Sequence, residues 1–267
     1  MRIYQIPVLM YHKFHRDTEC EYPYFINIGE FEEQVKYLCK NNYTTIFFSD
    51  LEKIDKKNGK KYIILTADDG YRDNYQLMFP IIKKYNIKMN IFLVSGKTYN
   101  SWDCDRVEKK YPRYELLNPE EIMEMKSSKL VEFGLHGKNH KDLSKLDETG
   151  LWEEIYKGKK ELEEKYDIKI SSMAYPYGKC NKKVKGMAKL SGIKYGCMIE
   201  TGPKIFVGNL SIRRVDIKPN DMENFPKKVN GKYHYRVEVV KDLKRVIKRI
   251  LEIFQEDVDI SKILIRR

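Results

Sequence analysis

The chain has 267 residues and a formal charge of +12, from 51 Lys plus Arg against 39 Asp plus Glu. With 42% hydrophobic and 34% charged residues, it is too apolar to stay disordered and long enough for a sizeable core. Its longest apolar runs, such as Ile63-Ile64-Leu65, fall far short of the ~20 residues that span a bilayer, which excludes an integral membrane protein.

At about 150 residues per domain, the length allows one or two domains, or a single α/β barrel. The N-terminus carries one basic residue and an apolar stretch broken by Gln5 and Pro7, which does not read as a signal peptide. Cys20, Cys39, Cys104, Cys180 and Cys197 are odd in number and scattered. Neither a zinc ribbon nor a disulfide framework is indicated, and free thiols in a reducing compartment are the simpler reading. The chain as written is expected in the cytoplasm, or outside the cell or at its surface if an export signal was removed. The positive charge admits nucleic acid, an anionic membrane surface or an anionic polymer as partner. Lys and Arg are spread along the chain without forming a block, so a solvated basic surface is the simpler reading and no nucleic-acid partner is expected.

Strand-like apolar runs fall at 6–11, 44–48, 62–67, 89–94, 130–135, 172–175, 195–199 and 210–217. Most lack strict alternation, which suits strands buried on both faces. Helical patterns lie between them. Phe31, Val35 and Leu38 repeat at helical spacing, as do Leu77, Ile81 and Tyr85. Asn118-Pro119-Glu120-Glu121 is a helix start, with Asn as cap, Pro in the first turn and Glu three residues after the cap. Trp152, Ile155 and Leu162 mark a further helix. Segment 95–117 is long for a strand-to-helix connection and holds Tyr99, Trp102, Tyr111 and Tyr114, so it reads as a substrate-contacting lid, with an ordinary surface loop as the alternative. Segment 237–255 reads as an amphipathic helix. Its expected place is against the barrel with the basic face in water; the alternative is a membrane-surface helix. Strands alternating with helices predict a parallel sheet with right-handed crossovers. About eight of them favour a barrel over an open sheet, in a single domain covering 1–267.

Ionisable groups gather at the ends of these strands. Asp68-Asp69-Gly70 follows 62–67, and two adjacent carboxylates at the end of a buried strand are costly without a cation. His136 follows 131–135, with His140 four residues later; a helical turn there would put both imidazoles on one face. His12 follows 8–11, and Tyr175-Pro176-Tyr177-Gly178 follows 172–174. In a β/α barrel all these ends open on one face, where catalytic residues collect. Taken singly, each motif reads as a turn or a structural histidine. Together they offer one carboxylate and two imidazoles, a common ligand set for a catalytic divalent metal, with the second carboxylate free to act as a base. No G-x-S-x-G elbow is present, and Ser95-Gly96-Lys97-Thr98 lacks the upstream glycine of a phosphate loop.

In order and spacing, Leu65-Thr66-Ala67-Asp68-Asp69-Gly70-Tyr71, His136-Gly137-Lys138-Asn139-His140 and Ala174-Tyr175-Pro176-Tyr177-Gly178 resemble the polysaccharide deacetylases of carbohydrate esterase family four. The opening Ile6-Pro7-Val8-Leu9-Met10-Tyr11-His12 resembles the circularly permuted poly-N-acetylglucosamine deacetylase branch. The resemblance implies a distorted (β/α) barrel of about seven or eight parallel strands. It also implies a metal-dependent hydrolase that removes N-acetyl groups from a sugar or glycan. Asp68 would be the base, and Asp69, His136 and His140 the ligands of one divalent ion, zinc first, with cobalt, nickel or iron as alternatives. Tyr177 would offer its backbone N–H to the oxyanion, and His12 would stand in for the family's late catalytic histidine. Three departures bear on activity. Ala67 stands where Phe is usual, and Gly137 where Ser or Thr is usual. The arginine before the Pro-Tyr-Gly turn is absent; Arg214 is the candidate to supply its charge, with Arg213 as competitor. The partner implied is an N-acetylated carbohydrate, with a peripheral membrane or anionic glycan as a further contact. The alternative reading is a catalytically silent carbohydrate-binding protein on the same barrel.

Overall fold

A computed structural model describes residues 6–16, 24–55, 59–105, 111–199 and 208–230. The expected C-terminal helix at 237–255 lies outside the described residues, as does Cys20. The strands are β1 (Val8–Tyr11), β2 (Lys13–His15), β3 (Phe25–Asn27), β4 (Tyr43–Thr45), β5 (Lys61–Ala67), β6 (Met89–Leu93), β7 (Val131–Leu135), β8 (Ser172–Ala174), β9 (Tyr195–Cys197) and β10 (Val215–Asp216). Seven of them hydrogen-bond in the order β10-β1-β5-β6-β7-β8-β9, and β4 pairs with the first half of β5. Every pairing between these strands is parallel. The sheet curls into a partial barrel whose two edges are joined by one short stretch of chain. Ile212 bridges to Cys197 of β9, and three residues later Val215 pairs with Leu9 of β1. The eighth expected strand, 210–217, is therefore a seam of single bridges and a two-residue strand, because it must serve two diverging edges. The pair β2 and β3 is a feature the sequence reading did not anticipate.

Strand residues divide by parity. Val8, Ile64, Phe92, Ala174, Cys197 and Ile212 fill the inside of the curl. Leu9, Ile63, Leu65, Ile91 and Phe133 face outward into the larger core with the helices. Continuous apolar runs are what burial on both faces demands. Helix α1 (Ile28–Lys40) buries the expected Phe31, Val35 and Leu38. It is followed by α2 (Phe79–Tyr85), α3 (Ser101–Cys104), α4 (Pro119–Ser127), α5 (Glu148–Leu151), α6 (Gly158–Tyr166) and α7 (Lys182–Leu190). The Asn118 cap is realised: its side chain accepts from Glu121 N, and the Glu121 carboxylate accepts from Asn118 N.

Two helices differ from the simple periodic expectation for one reason. A π-helical turn at Asn74–Met78 precedes α2, and another at Trp152–Lys157 joins α5 to α6. Each turn inserts a residue and rotates the face that follows, and such bulges often mark functional sites. Met78, Phe79 and Ile82 are fully buried, and the expected Leu77, Ile81 and Tyr85 pack half-buried against the same core. The helix that Trp152, Ile155 and Leu162 marked is present; Trp152 is exposed on it, whereas Glu154 is 1% exposed.

Among the described residues, no helix is long and apolar enough to cross a membrane. Cys39, Cys104, Cys180 and Cys197 are free thiols.

Candidate metal centre and catalytic site

Strand β5 ends on Ala67, and Asp68 still belongs to the sheet, donating its N–H to Tyr11 O at 3.0 Å. The next two residues reverse the chain with positive φ, +73° at Asp69 and +71° at Gly70. Gly70 is required: besides its φ, a Cβ there would lie 2.7 Å from Leu93 Cδ2. This turn drives the two carboxylates into different surroundings.

Asp68 is 2% exposed and Arg214 fully buried. The guanidinium grips the carboxylate at both ends, with Nη1 to Oδ1 at 2.6 Å and Nη2 to Oδ2 at 2.7 Å. Arg214 also donates Nε to Met198 O and Nη1 to Thr66 Oγ1. Burial works against the charge on Asp68, but Arg214 outweighs it, helped by His136, and holds the carboxyl below its ordinary range. Arg213, the competitor, has a buried Nε with no hydrogen-bond partner. His12 follows β1 and brings its Nε2 to 3.9 Å from Asp68 Oδ2. Its ring lies against Tyr24, and its carbonyl accepts from Asn74 Nδ2 at 2.9 Å. The Asp216 carboxylate of β10 also interacts with His12, which partly offsets the upward push of burial on Asp216.

Asp69 faces the two expected imidazoles. Its Oδ1 lies 3.4 Å from His136 Nε2 and 3.3 Å from His140 Nε2. The histidines do not share a helical face, as the spacing had suggested. Gly137 and His140 both have positive φ, +77° and +56°, so a tight loop carries the second ring back onto the first, centroids 4.9 Å apart. His136 Nδ1 faces Ala174 O at 2.9 Å. A carbonyl can only accept, so Nδ1 holds the proton and the Nε2 lone pair points at Asp69. Trp102 stacks on the His140 ring, centroids 4.4 Å apart and planes at 22°, while Tyr177 meets it edge-on. Segment 95–117 thus reaches the site through Trp102. A bridge from Leu116 ties it to Tyr71, and another, from Tyr99 to Glu115, joins its two ends.

One atom from each of Asp69, His136 and His140 falls within 4.8 Å of the others. Ligand atoms held ~2.1 Å from a tetrahedral ion sit ~3.4 Å apart, which matches the separations from Asp69 Oδ1. That oxygen is buried without a hydrogen-bond partner. A buried carboxylate oxygen facing an imidazole lone pair is repulsive unless a cation lies between them. The donor set fits a divalent ion of the zinc type.

Burial pushes His136 down to about 4, against the pull of Asp68 and Asp69. In the unfolded chain the group titrates near ~6.5. The unfolded chain therefore binds more protons between these values, so stability rises with pH across that window. Metal-free protein is expected to lose about 3 kcal/mol as pH falls from ~6.5 to ~4. Urea unfolding across pH measures this, and His136→Gln should flatten that part of the curve. Asp68 and Asp69 are both held below their ordinary range, so their contribution is lost only at lower pH.

Tyr177 adopts φ +60° within the Pro176–Gly178 turn, which Gly178 N closes onto Tyr175 O at 2.8 Å. A shallow groove of about 470 Å³ runs from this turn past His140, Trp102, Asn139 and Asp142. Sequence reasoning missed Asp216, Glu154 and the His140 contact of Trp102. The only signal for the last was the aromatic content of its loop.

The fold and site together define a hydrolase of the parallel-barrel type with an Asp-His-His metal set. The model of the polysaccharide deacetylase family matches residues 55–196, more than half of the chain, and the chain belongs to that family. It is 28% identical to Bacillus subtilis YxkH, a chain assigned to the polysaccharide deacetylases, over 80% of this chain and 72% of that one. It is 26% identical to a Staphylococcus aureus poly-β-1,6-N-acetyl-D-glucosamine N-deacetylase, over 66% of this chain and 62% of that one. The structure of Streptococcus pyogenes deacetylase PplD in complex with acetate superposes with a TM-score of 0.72 at 25% identity, covering 84% of this chain and 97% of that one. The chain is a carbohydrate N-deacetylase of this family, as the sequence reading expected. His12 and Arg214 lie outside the segment the family model matches, one on each side of it. The sheet reunites them: β1 and β10 are paired neighbours.

Proposed function

We propose that the chain hydrolyses the acetamide of N-acetylglucosamine units in a glycan, using one zinc-type ion, and releases acetate and a free amine. The observation that carries this reading is the division of labour between adjacent carboxylates. Asp68 is locked by Arg214, and Asp69 faces two imidazoles.

When bound by Asp69, His136 and His140, the ion would supply Lewis acidity to the acetamide carbonyl and to a water. Asp68, kept ionised by Arg214, takes a proton from the attacking water. Because both its oxygens are held by the guanidinium, the carboxylate cannot rotate and keeps its lone pairs aimed at the site. Tyr177 N–H stabilises the negative charge that develops on the carbonyl oxygen, a contribution of ~3 kcal/mol for one such donor. Protonated His12 gives its proton to the departing nitrogen, which would otherwise leave as an amine anion. Trp102 and Tyr177 confine His140 and offer aromatic faces to a sugar ring.

The test is acetate release from N-acetylglucosamine oligomers, with metal analysis of the same sample. Activity removed by a chelator and restored by zinc, cobalt or nickel is the expected result. A protein that binds no metal and is not activated by any of the three would overturn the reading.

A further inference from the structure

The loop 137–139 between the two histidines is held from two sides. On one side, Ser95 N donates to Gly137 O at 3.2 Å and Gly96 N to Lys138 O at 2.8 Å. On the other stands the Glu154 carboxylate, nearly inaccessible to water, in the π turn between α5 and α6. Its Oε2 accepts from Lys138 N at 3.0 Å and Asn139 N at 2.8 Å. Its Oε1 accepts from Asn139 Nδ2 at 2.8 Å. Lys138 Nζ is itself paired with Glu161, about two turns further along the same helical stretch.

A carboxylate this deeply buried is retained only where its charge is compensated, and here three N–H donors from the metal loop compensate it, with Lys141 Nζ further off at 3.9 Å from Oε1. The same contact accounts for Gly137, where the resemblance led us to expect Ser or Thr. A Cβ on Gly137 would lie 3.1 Å from Glu154 Oε2, in a backbone conformation with φ +77°. Glycine lets the carboxylate reach the loop, and the carboxylate holds the loop from that side.

We propose that Glu154 is a positioning residue for the metal centre. By fixing the backbone of 138–139 it sets where His140 Nε2 stands relative to Asp69 and His136. This rests on the metal reading above. Partners of this kind typically alter metal affinity by ~10–100-fold when removed. Glu154→Gln keeps the side-chain volume but must replace one acceptor with an N–H₂ facing donors. Glu154→Ala removes all three bonds.

The experiment is titration of metal-free protein with Co²⁺, read by its visible absorption. Circular dichroism and thermal unfolding of the metal-free variants serve as the folding control. The expected result is Co²⁺ binding ~10-fold weaker in Glu154→Gln and up to ~100-fold weaker in Glu154→Ala, with an altered visible spectrum, in protein that is folded. Should Glu154→Ala not fold, Glu154→Gln decides. Wild-type affinity and spectrum in folded Glu154→Gln, with binding abolished in Asp69→Asn, would overturn the role of Glu154 and leave the metal site standing. Failure of the wild-type protein to bind Co²⁺ would overturn both.

Discussion

Asp68→Asn is expected to lower kcat for acetate release by about 10³-fold while leaving bound metal unchanged. The proton-accepting oxygen becomes a neutral amide, and a positioned base is typically worth ~10²–10⁴-fold. Metal is retained because the Asp69, His136 and His140 atoms form their own cluster. The substitution has a second effect that a purely catalytic residue would not show. Arg214 is fully buried, and an amide cannot neutralise it. Removing one partner of a buried ion pair costs ~3–5 kcal/mol, so the variant should also unfold more easily. The double variant Asp68→Asn with Arg214→Met should recover much of that stability and none of the activity. Steady-state kinetics, metal analysis and thermal unfolding on the same samples check all three points. Full activity in Asp68→Asn would remove Asp68 from the chemistry.

His136→Ala is expected to lose both metal and activity. It removes one of three ligand atoms. It also removes the Nδ1 bond to Ala174 O that ties the end of β7 to the end of β8. Purified variant should carry less than about a tenth of the wild-type metal, following the ~10–100-fold losses that accompany even indirect damage to such sites. Acetate release should stay at background when excess zinc is added. Normal metal content in this variant would mean that the ion is held elsewhere.

Much of this site was legible before any coordinates. Asp68, Asp69, His136, His140 and His12 sit at the ends of apolar runs, and a parallel barrel gathers such ends on one face. The Arg214 contact was legible only as one of two arginines. Its partner lies 146 residues away in the chain, and no local pattern encodes a register set by the curl of a whole sheet. Glu154 was not legible. It stands in a run of Glu and Lys, and nothing local tells the carboxylate that packs on the metal loop from its solvated neighbours. The strand expected at 210–217 was too long for a related reason. Apolar pattern reports burial, and this stretch is buried while bonding to two edges in turn.

The seam at 212–216 has a consequence for the order in which the molecule becomes competent. A chain emerging from its N-terminus has both histidines, both aspartates and nearly the whole sheet in place while Arg214 is still missing. Until the last strand docks against β1 and β9, Asp68 lacks the guanidinium that fixes both its oxygens. Closure of the barrel is therefore the step that orients the base. A partly closed sheet could hold every metal ligand and still leave its base free to turn.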